Sequence, residues 1–359
     1  MIKFINYKEV STLKNWIKII GLSTTIAMAC FSAAKIDTEA TTQTQNSDFE
    51  IQRLETKSQV NNDLKYFDLK IKPGTTETLK MRIQNFTNHK ITVKTAIRNS
   101  YTQIGGGLNF TTQTRNLDSS LKIPLTKIAK VRKEDRIVNL GPQEVRDVSA
   151  TVKMPVDQTR GMIYGDWQFI EYMKDKGAGS AVSSNYAYSV GIALRGNHYR
   201  IYPELKFDKA KELLYEKHAA MGIDLRNTQP MLLQNVIMQA VVSKEGLYSS
   251  KHVFNVTKSK IAPNSKITLP ITWAYDQLKP GKYNINVKVK GENDWNHLPM
   301  IWTFKKTFVV NKKDAQRINQ LAIKQPKNKW LYVSVASGAL LLVALTELLK
   351  LLLTSGVTK

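Results

Sequence analysis

The side chains best suited to chemistry are scattered along this chain rather than grouped. Its five histidines, His89, His198, His218, His252 and His297, include no pair at the i, i+4 or short-loop spacing that a metal centre needs. No G-x-S-x-G, H-E-x-x-H or C-x-x-C occurs, so the nucleophile-elbow, zinc-protease and dithiol chemistries have no motif to start from. Gly105-Gly106-Gly107 has no G-K-[ST] and no helical pattern after it. It reads as a flexible loop tip and not as a phosphate cradle. Carboxylates are plentiful, yet nothing in the spacing sets two of them across a cleft. The expectation is a chain that is not an enzyme, with no catalytic, cofactor-binding or metal-ligating residues.

Binding chemistry is better represented. Tyr164, Trp167, Phe169 and Tyr172 fall within one stretch. Side chains alternate along a strand, so Trp167 and Phe169 share one face while Tyr164 and Tyr172 share the other. One face packs a core, and the other could stack on sugar rings. The spacing does not say which face is which, and Tyr164, Trp167 and Tyr172 are the candidate glycan-stacking residues. Trp273, Tyr275, Trp295 and Trp302 admit the same two readings, as core or as anchors of a protein interface.

The elements that must position these residues read as strands. YFDLKI, ETLKMRI, ITVKTAI, EVRDVSATVKM, MIYGDWQFIEY and YAYSVGIAL alternate apolar with polar residues or are rich in β-branched and aromatic ones. Pro73-Gly74, Asn88-His89, Gly105-Gly106-Gly107 and Gly141-Pro142 punctuate them. A second series follows Gly196-Asn197, from YPELKF to MIWTFKKTFVV, with about seven strands. A helical period is suggested only across Lys209 to His218. The expected fold class is all-β: two immunoglobulin-like antiparallel β-sandwich domains in tandem, 49–197 and 198–310. A polar, basic stalk at 311–329 follows, with Pro326 stopping any helix.

Both ends of the chain are apolar. Lys3, Lys8, Lys14 and Lys18 precede the run Ile19 to Ala34, and Ser32, Ala33 and Ala34 precede Lys35. This predicts a signal peptide over 1–34, cleaved after Ala34 or after Ala40, and a polar leader over 35–48. The run Trp330 to Leu353 is long enough to cross a hydrocarbon core at about 1.5 Å per residue. It predicts a transmembrane helix over 330–353 and a short cytoplasmic tail over 354–359. Trp330 and Tyr332 would mark the outer interface. Glu347 and Lys350, three apart, would pair on one helix face. The expected location is a cell membrane, crossed once, with the large N-terminal region outside.

The formal charge is +24 and the one cysteine is Cys30, inside the signal segment. The mature chain would then carry no thiol and rely on its cores alone. Export argues against a nucleic-acid partner, and wall polyanions or lipid head groups suit the charge better. N-x-[ST] sequons occur at Asn85, Asn109 and Asn255.

Several segments in order carry a resemblance: FDLKIKPG at 67–74, MRIQN at 81–85, LDSSL at 117–121, LGPQEV at 140–145, GMIYGDWQF at 161–169 and VGIALR at 190–195. With a second β-domain and a C-terminal anchor, the chain resembles the WxL-interacting protein family of Gram-positive bacteria. That resemblance implies a first domain that binds peptidoglycan, a second that contacts host extracellular or partner proteins, and association with WxL-domain surface proteins. It offers no catalytic residues. The leading reading is a non-enzymatic, membrane-anchored cell-surface adaptor. The alternative is an extracytoplasmic assembly chaperone that works through immunoglobulin-like strand edges.

Overall fold

The computed structural model describes residues 47–114, 117–157, 160–172, 186–246, 250–324 and 329–355, omitting the side chains of 329, 331, 332 and 351–355. The signal peptide, most of the leader, Pro326 and the last residues of the tail lie outside the described residues, as does the side chain of Tyr332.

The first sandwich has two sheets. One runs β1 (Phe49–Arg53), β3 (Thr76–Asn85), β8 (Val145–Lys153) and β6 (Ala129–Val131) in that spatial order. The other runs β2 (Phe67–Leu69), β10 (Ala187–Arg195), β9 (Met162–Glu171), β4 (Ile91–Thr102) and β5 (Leu108–Thr111), with β7 (Ile137–Leu140) also paired to β4. Alternation builds the core: in β3 Leu79, Met81 and Ile83 are fully buried while Lys80 and Arg82 face solvent. Phe49, Leu69, Trp167, Phe169 and Ile192 close it from the other strands. β2 joins β10 in parallel. A single-turn helix, α1 (Leu125–Ile128), buries Leu125 in the same core.

The second sandwich packs the sheet β11 (Leu205–Tyr215), β12 (His218–Asn227) and β15 (Ser265–Thr272) against a second sheet. That sheet has β14 (Lys251–Ile261), β13 (Leu233–Lys244), β16 (Gly281–Asn293) and β17 (Pro299–Val310), in that order. These are the seven strands the sequence suggests. The helical period over Lys209 to His218 is overruled. β11 pairs with β12 from Leu205↔Asn227 to Tyr215↔His218, with one irregularity between Phe207 and Lys209. Glu216 and Lys217 both take positive φ, 50° and 65°, the twist a two-residue hairpin needs. Cross-strand pairing decides the backbone here, as it commonly does against weak local propensity.

The expected stalk is not free of the sandwich along its first half. Residues Lys312–Leu321 form a helix, α2, whose Ala315 and Ile318 enter the second core. Asn319 binds both backbone groups of Leu278, accepting from its N–H at 2.9 Å and donating to its carbonyl at 2.9 Å. The Ile323 N–H then donates to Lys217 O at 2.8 Å. An apolar helix, α3 (Lys329–Ser355), ends the described chain.

The two sandwiches are locked together, and the triglycine loop is part of the lock. Gly105 N–H donates to Thr268 O at 2.9 Å and Gly107 N–H to Lys260 O at 3.2 Å. A Cβ on Gly106, at φ +108°, would stand 2.5 Å from the Ser259 hydroxyl. The expected flexible loop tip is therefore a docked segment, and its glycines let one backbone approach another. The LDSSL segment straps the same junction, with Leu117 and Asp118 lining one depression together with Ile104 and Thr268. Asp118 takes a bidentate ion pair from Arg226 at 2.7 Å, and Ser120 accepts from Asn264 at 3.1 Å. The junction also holds a small apolar cluster of Met162, Met231 and Leu232, with Tyr164, Tyr199, Ile201 and Trp295 around it.

One buried carboxyl gives the first sandwich a pH dependence. Glu171 is 3% exposed, and burial, with the charge of Asp48 beside it, pushes its carboxyl up from 4.5 to about 7. The folded state then holds this proton where the unfolded chain releases it. Stability should fall as pH rises from about 4.5 to 7, and level off above. The effect is on the order of 3 kcal/mol, given about 1.4 kcal/mol per pKa unit. Melting curves of the parent and Glu171→Gln between pH 4.5 and 8 check this. The variant should gain on the parent as pH rises. A gap between the two that stays constant with pH would remove Glu171 as the cause.

Candidate functional site

The aromatic candidates separate by burial. Trp167 is fully inside the first core, its ring 5.2 Å from that of Phe169. The stacking role expected for it is corrected: no face of the indole reaches solvent. β9 pairs on both sides, with Ile97 and Val190 opposite Trp167, so this position is central to a covered sheet. Tyr164 sits on the other face of β9, in the junction cluster, with Phe110 at 6.2 Å and its hydroxyl pushed up to about 12 by burial first. Tyr172 is 49% exposed, with the Lys94 ammonium over one face of its ring, 3.9 Å from the centroid.

The second set divides in the same way. Trp273 is buried in the second core, stacked on His252 at 4.2 Å and edge-on to Tyr283 at 5.9 Å. Its expected interface role is corrected, because the ring is already enclosed. Trp295 spends its polar handle within the junction: the indole N–H donates to Ile201 O at 2.7 Å, and Tyr202 lies 5.5 Å from the ring. Trp302 is half-buried against the second core. Tyr275 is 47% exposed and rests edge-on against His218 at 5.1 Å.

Sequence reasoning passed over a groove of about 470 Å³ on the first sandwich. Glu50 and Gln52 of β1 and Arg82 and Gln84 of β3 line its floor in register, Glu50 opposite Gln84 and Gln52 opposite Arg82. Residues 62–65 form its rim. Arg53 holds that rim, donating to Leu64 O at 3.1 Å and Asn62 O at 2.9 Å. Amides, a guanidinium and a carboxylate on a flat strand surface can hydrogen-bond a polar polymer along its length. The signal was legible, since FEIQR alternates as a strand does. What the spacing could not supply is the rim, which folds back from a loop.

Asn85, the first of the three sequons, is structural. Its amide is fully buried and donates to His89 O at 2.8 Å and Gly141 O at 2.7 Å. This sequon holds a turn and offers no accessible acceptor. Among the described residues no group of three or more His, Cys, Asp or Glu side chains could hold a metal ion.

The C-terminal candidates occupy α3. Val333–Lys350 is long and apolar enough to cross a membrane, with a mean hydropathy of 1.7 and none of it buried against the protein. Trp330 is exposed, and Lys350 donates to Glu347 at 2.8 Å, the i, i+3 pair the sequence suggests.

Two β-sandwiches with open polar faces, followed by an apolar helix, define a tandem-sandwich protein with one candidate membrane span among the described residues. The chain belongs to the WxL-interacting protein family. The family's peptidoglycan binding domain matches residues 49–171 and its host binding domain residues 177–320. No curated protein matches the sequence. Among solved structures the chain is similar to the YadV chaperone (10% identity, 74% of this chain and 100% of that one, TM-score 0.31). It is also similar to the Pseudomonas aeruginosa CupB2 chaperone (10% identity, 63% and 91%, TM-score 0.27) and to PapD-like domain 7 of human CEP192 (10% identity, 41% and 83%, TM-score 0.25).

Proposed function

We propose that this chain is a non-enzymatic cell-surface adaptor, anchored by α3, that binds peptidoglycan through its first sandwich and protein partners through its second. The partners in view are WxL-domain surface proteins and host extracellular proteins. The observation that carries the reading is the order of parts. A sandwich matching a peptidoglycan-binding model is locked to one matching a host-binding model, and an apolar helix follows. In this reading the β1–β3 groove takes the glycan, and Tyr172 is the one stacking candidate with a half-exposed ring. Tyr275 is the interface candidate that retains an exposed surface.

Retention on insoluble peptidoglycan tests it. Gln52→Ala with Gln84→Ala should reduce retention at least fivefold with no change in melting temperature. Tyr172→Ala in parallel asks whether stacking contributes. The assay is run at about 0.3 M salt, where screening shortens charge–charge reach to several ångströms. Retention that vanishes in the parent at that salt, or that persists in the double variant, would remove the groove.

The chaperone reading has one observation in its favour. Among the described strands β17, from Pro299 to Val310, pairs with β16 alone and stands at the edge of its sheet. An open edge accepts a strand from a partner.

A further inference from the structure

The outer face of the sheet β14-β13-β16-β17 is cationic. Along β16 the residues that leave the core are Lys282, Asn284, Asn286, Lys288 and Lys290, and along β17 Ile301, Thr303, Lys305 and Thr307. Register places Lys288 opposite Thr303 and Lys305 opposite Asn286. Lys305 and Lys288 are therefore diagonal neighbours, about 7–8 Å apart. Lys288 and Lys290 are two residues apart on one strand, about 7 Å. Three lysine positions thus form a ladder of near-equal steps. Among the described residues none of the three is ion-paired. Of the carboxylates on this face, Glu292 stands one step beyond Lys290 on β16 and accepts from Asn235, and Glu245 pairs with Lys282 at the other end. Around the ladder are Gln239, Asn255 and Asn286, and a depression of about 560 Å³ beside Lys305 is lined by Ser243, Asn284 and Thr307. Ile237 and Ile301, 47% and 61% exposed, flank Lys290 in register.

We infer that this face binds a linear phosphodiester polymer, of the glycerol-phosphate kind that is rooted in a membrane. Evenly spaced ammonium groups meet evenly spaced phosphates, amides and hydroxyls meet polyol oxygens, and the exposed aliphatics meet the carbon links. The described residues of this face include no aromatic for stacking, as single-stranded nucleic acid would use, and no arginine for bidentate recognition. Its position narrows the source. Ile323 is tied to the second sandwich through Lys217 O, and α3 begins at Lys329. Six residues reach at most about 22 Å. If α3 is the anchor, as proposed above, the Lys282 end of this face, where β16 meets Val310 just before α2, is its membrane-proximal end, and Lys288 stands six residues, about 20 Å, farther out, within reach of a polymer that starts at the membrane. The wall-binding groove lies on the other sandwich, so the two activities are separable.

The test uses the full chain in detergent micelles and purified poly(glycerol phosphate), with affinity measured across a salt series. The triple substitution Lys288→Gln, Lys290→Gln and Lys305→Gln should weaken binding at least thirtyfold and flatten the dependence of log Kd on log salt by about two, since each lost phosphate contact removes about 0.7 from that slope. A control triple on the first sandwich, Lys70→Gln, Lys72→Gln and Lys130→Gln, removes the same charge and should change affinity less than threefold. Equal losses in both triples would reduce the effect to net charge and overturn the inference. So would heparin bound as tightly as the phosphodiester with the same sensitivity to the face triple. Should the face triple melt early, Lys288→Gln alone carries the test, with at least a threefold loss expected against no change for Lys130→Gln. Retained binding of poly(glycerol phosphate) by α3-positive chains after loss of peptidoglycan retention would leave this inference standing and fault only the groove.

Discussion

Trp167→Ala is expected to cost the first sandwich about 3–5 kcal/mol, and Trp273→Ala the second a similar amount, because each empties the largest aromatic site of a closed core. Trp167 is fully buried and Trp273 is 3% exposed. A loss of that size approaches the whole stability of an ordinary domain, so either variant should unfold at or near ambient temperature. Tyr172→Ala and Tyr275→Ala remove rings that are half in solvent and should shift stability by less than about 1 kcal/mol. Thermal melting of the four variants reads this directly. The pattern also decides how ligand data are read. Lost binding in a Trp167 variant reports unfolding, whereas lost binding in Tyr172→Ala reports contact. Equal destabilisation by Trp273→Ala and Tyr275→Ala would contradict the burial assigned to them.

The second large effect is expected at Gly161. Its φ is +61°, and a Cβ there would stand 2.0 Å from Pro230 O and 2.7 Å from the Ile201 side chain. The next residue, Met162, donates its N–H to the same Pro230 O at 2.7 Å. The obstacle is backbone from the other sandwich, so relief requires the junction itself to open. Left-handed strain and overpacking each cost about 1–3 kcal/mol, and together they should exceed about 3 kcal/mol in Gly161→Ala. The core residues of each sandwich are untouched by the change. Calorimetry should therefore show one transition in the parent and two in the variant, with faster proteolysis between β10 and β11. A single transition at the parental temperature would mean that Gly161 does not hold the junction.

Strand periodicity was legible wherever one face of a strand is buried and the other is not. Leu79, Met81 and Ile83 against Lys80 and Arg82 is the clearest case, since a period of two places each residue without reference to any partner. The seven strands of the second sandwich and the Glu347–Lys350 pair were legible for the same reason, because their interactions are local. The apolar run of α3 needed composition alone. The order of loose segments from Phe67 to Arg195 was enough to suggest the family. Tertiary structure decided the rest. Trp167 and Tyr172 look alike in sequence, and only the second sheet determines that one is enclosed and the other open. Lys209 to His218 carries a faint helical period, yet β12 claims it as a strand. Gly105 to Gly107, Asp118 and Gly161 have no local signal for docking, because their partners, Thr268, Arg226 and Pro230, lie far along the chain. The lysine ladder is of the same kind: Lys288 and Lys305 become neighbours only through the register of β16 on β17, and contacts between distant residues are written in the fold, not in their spacing.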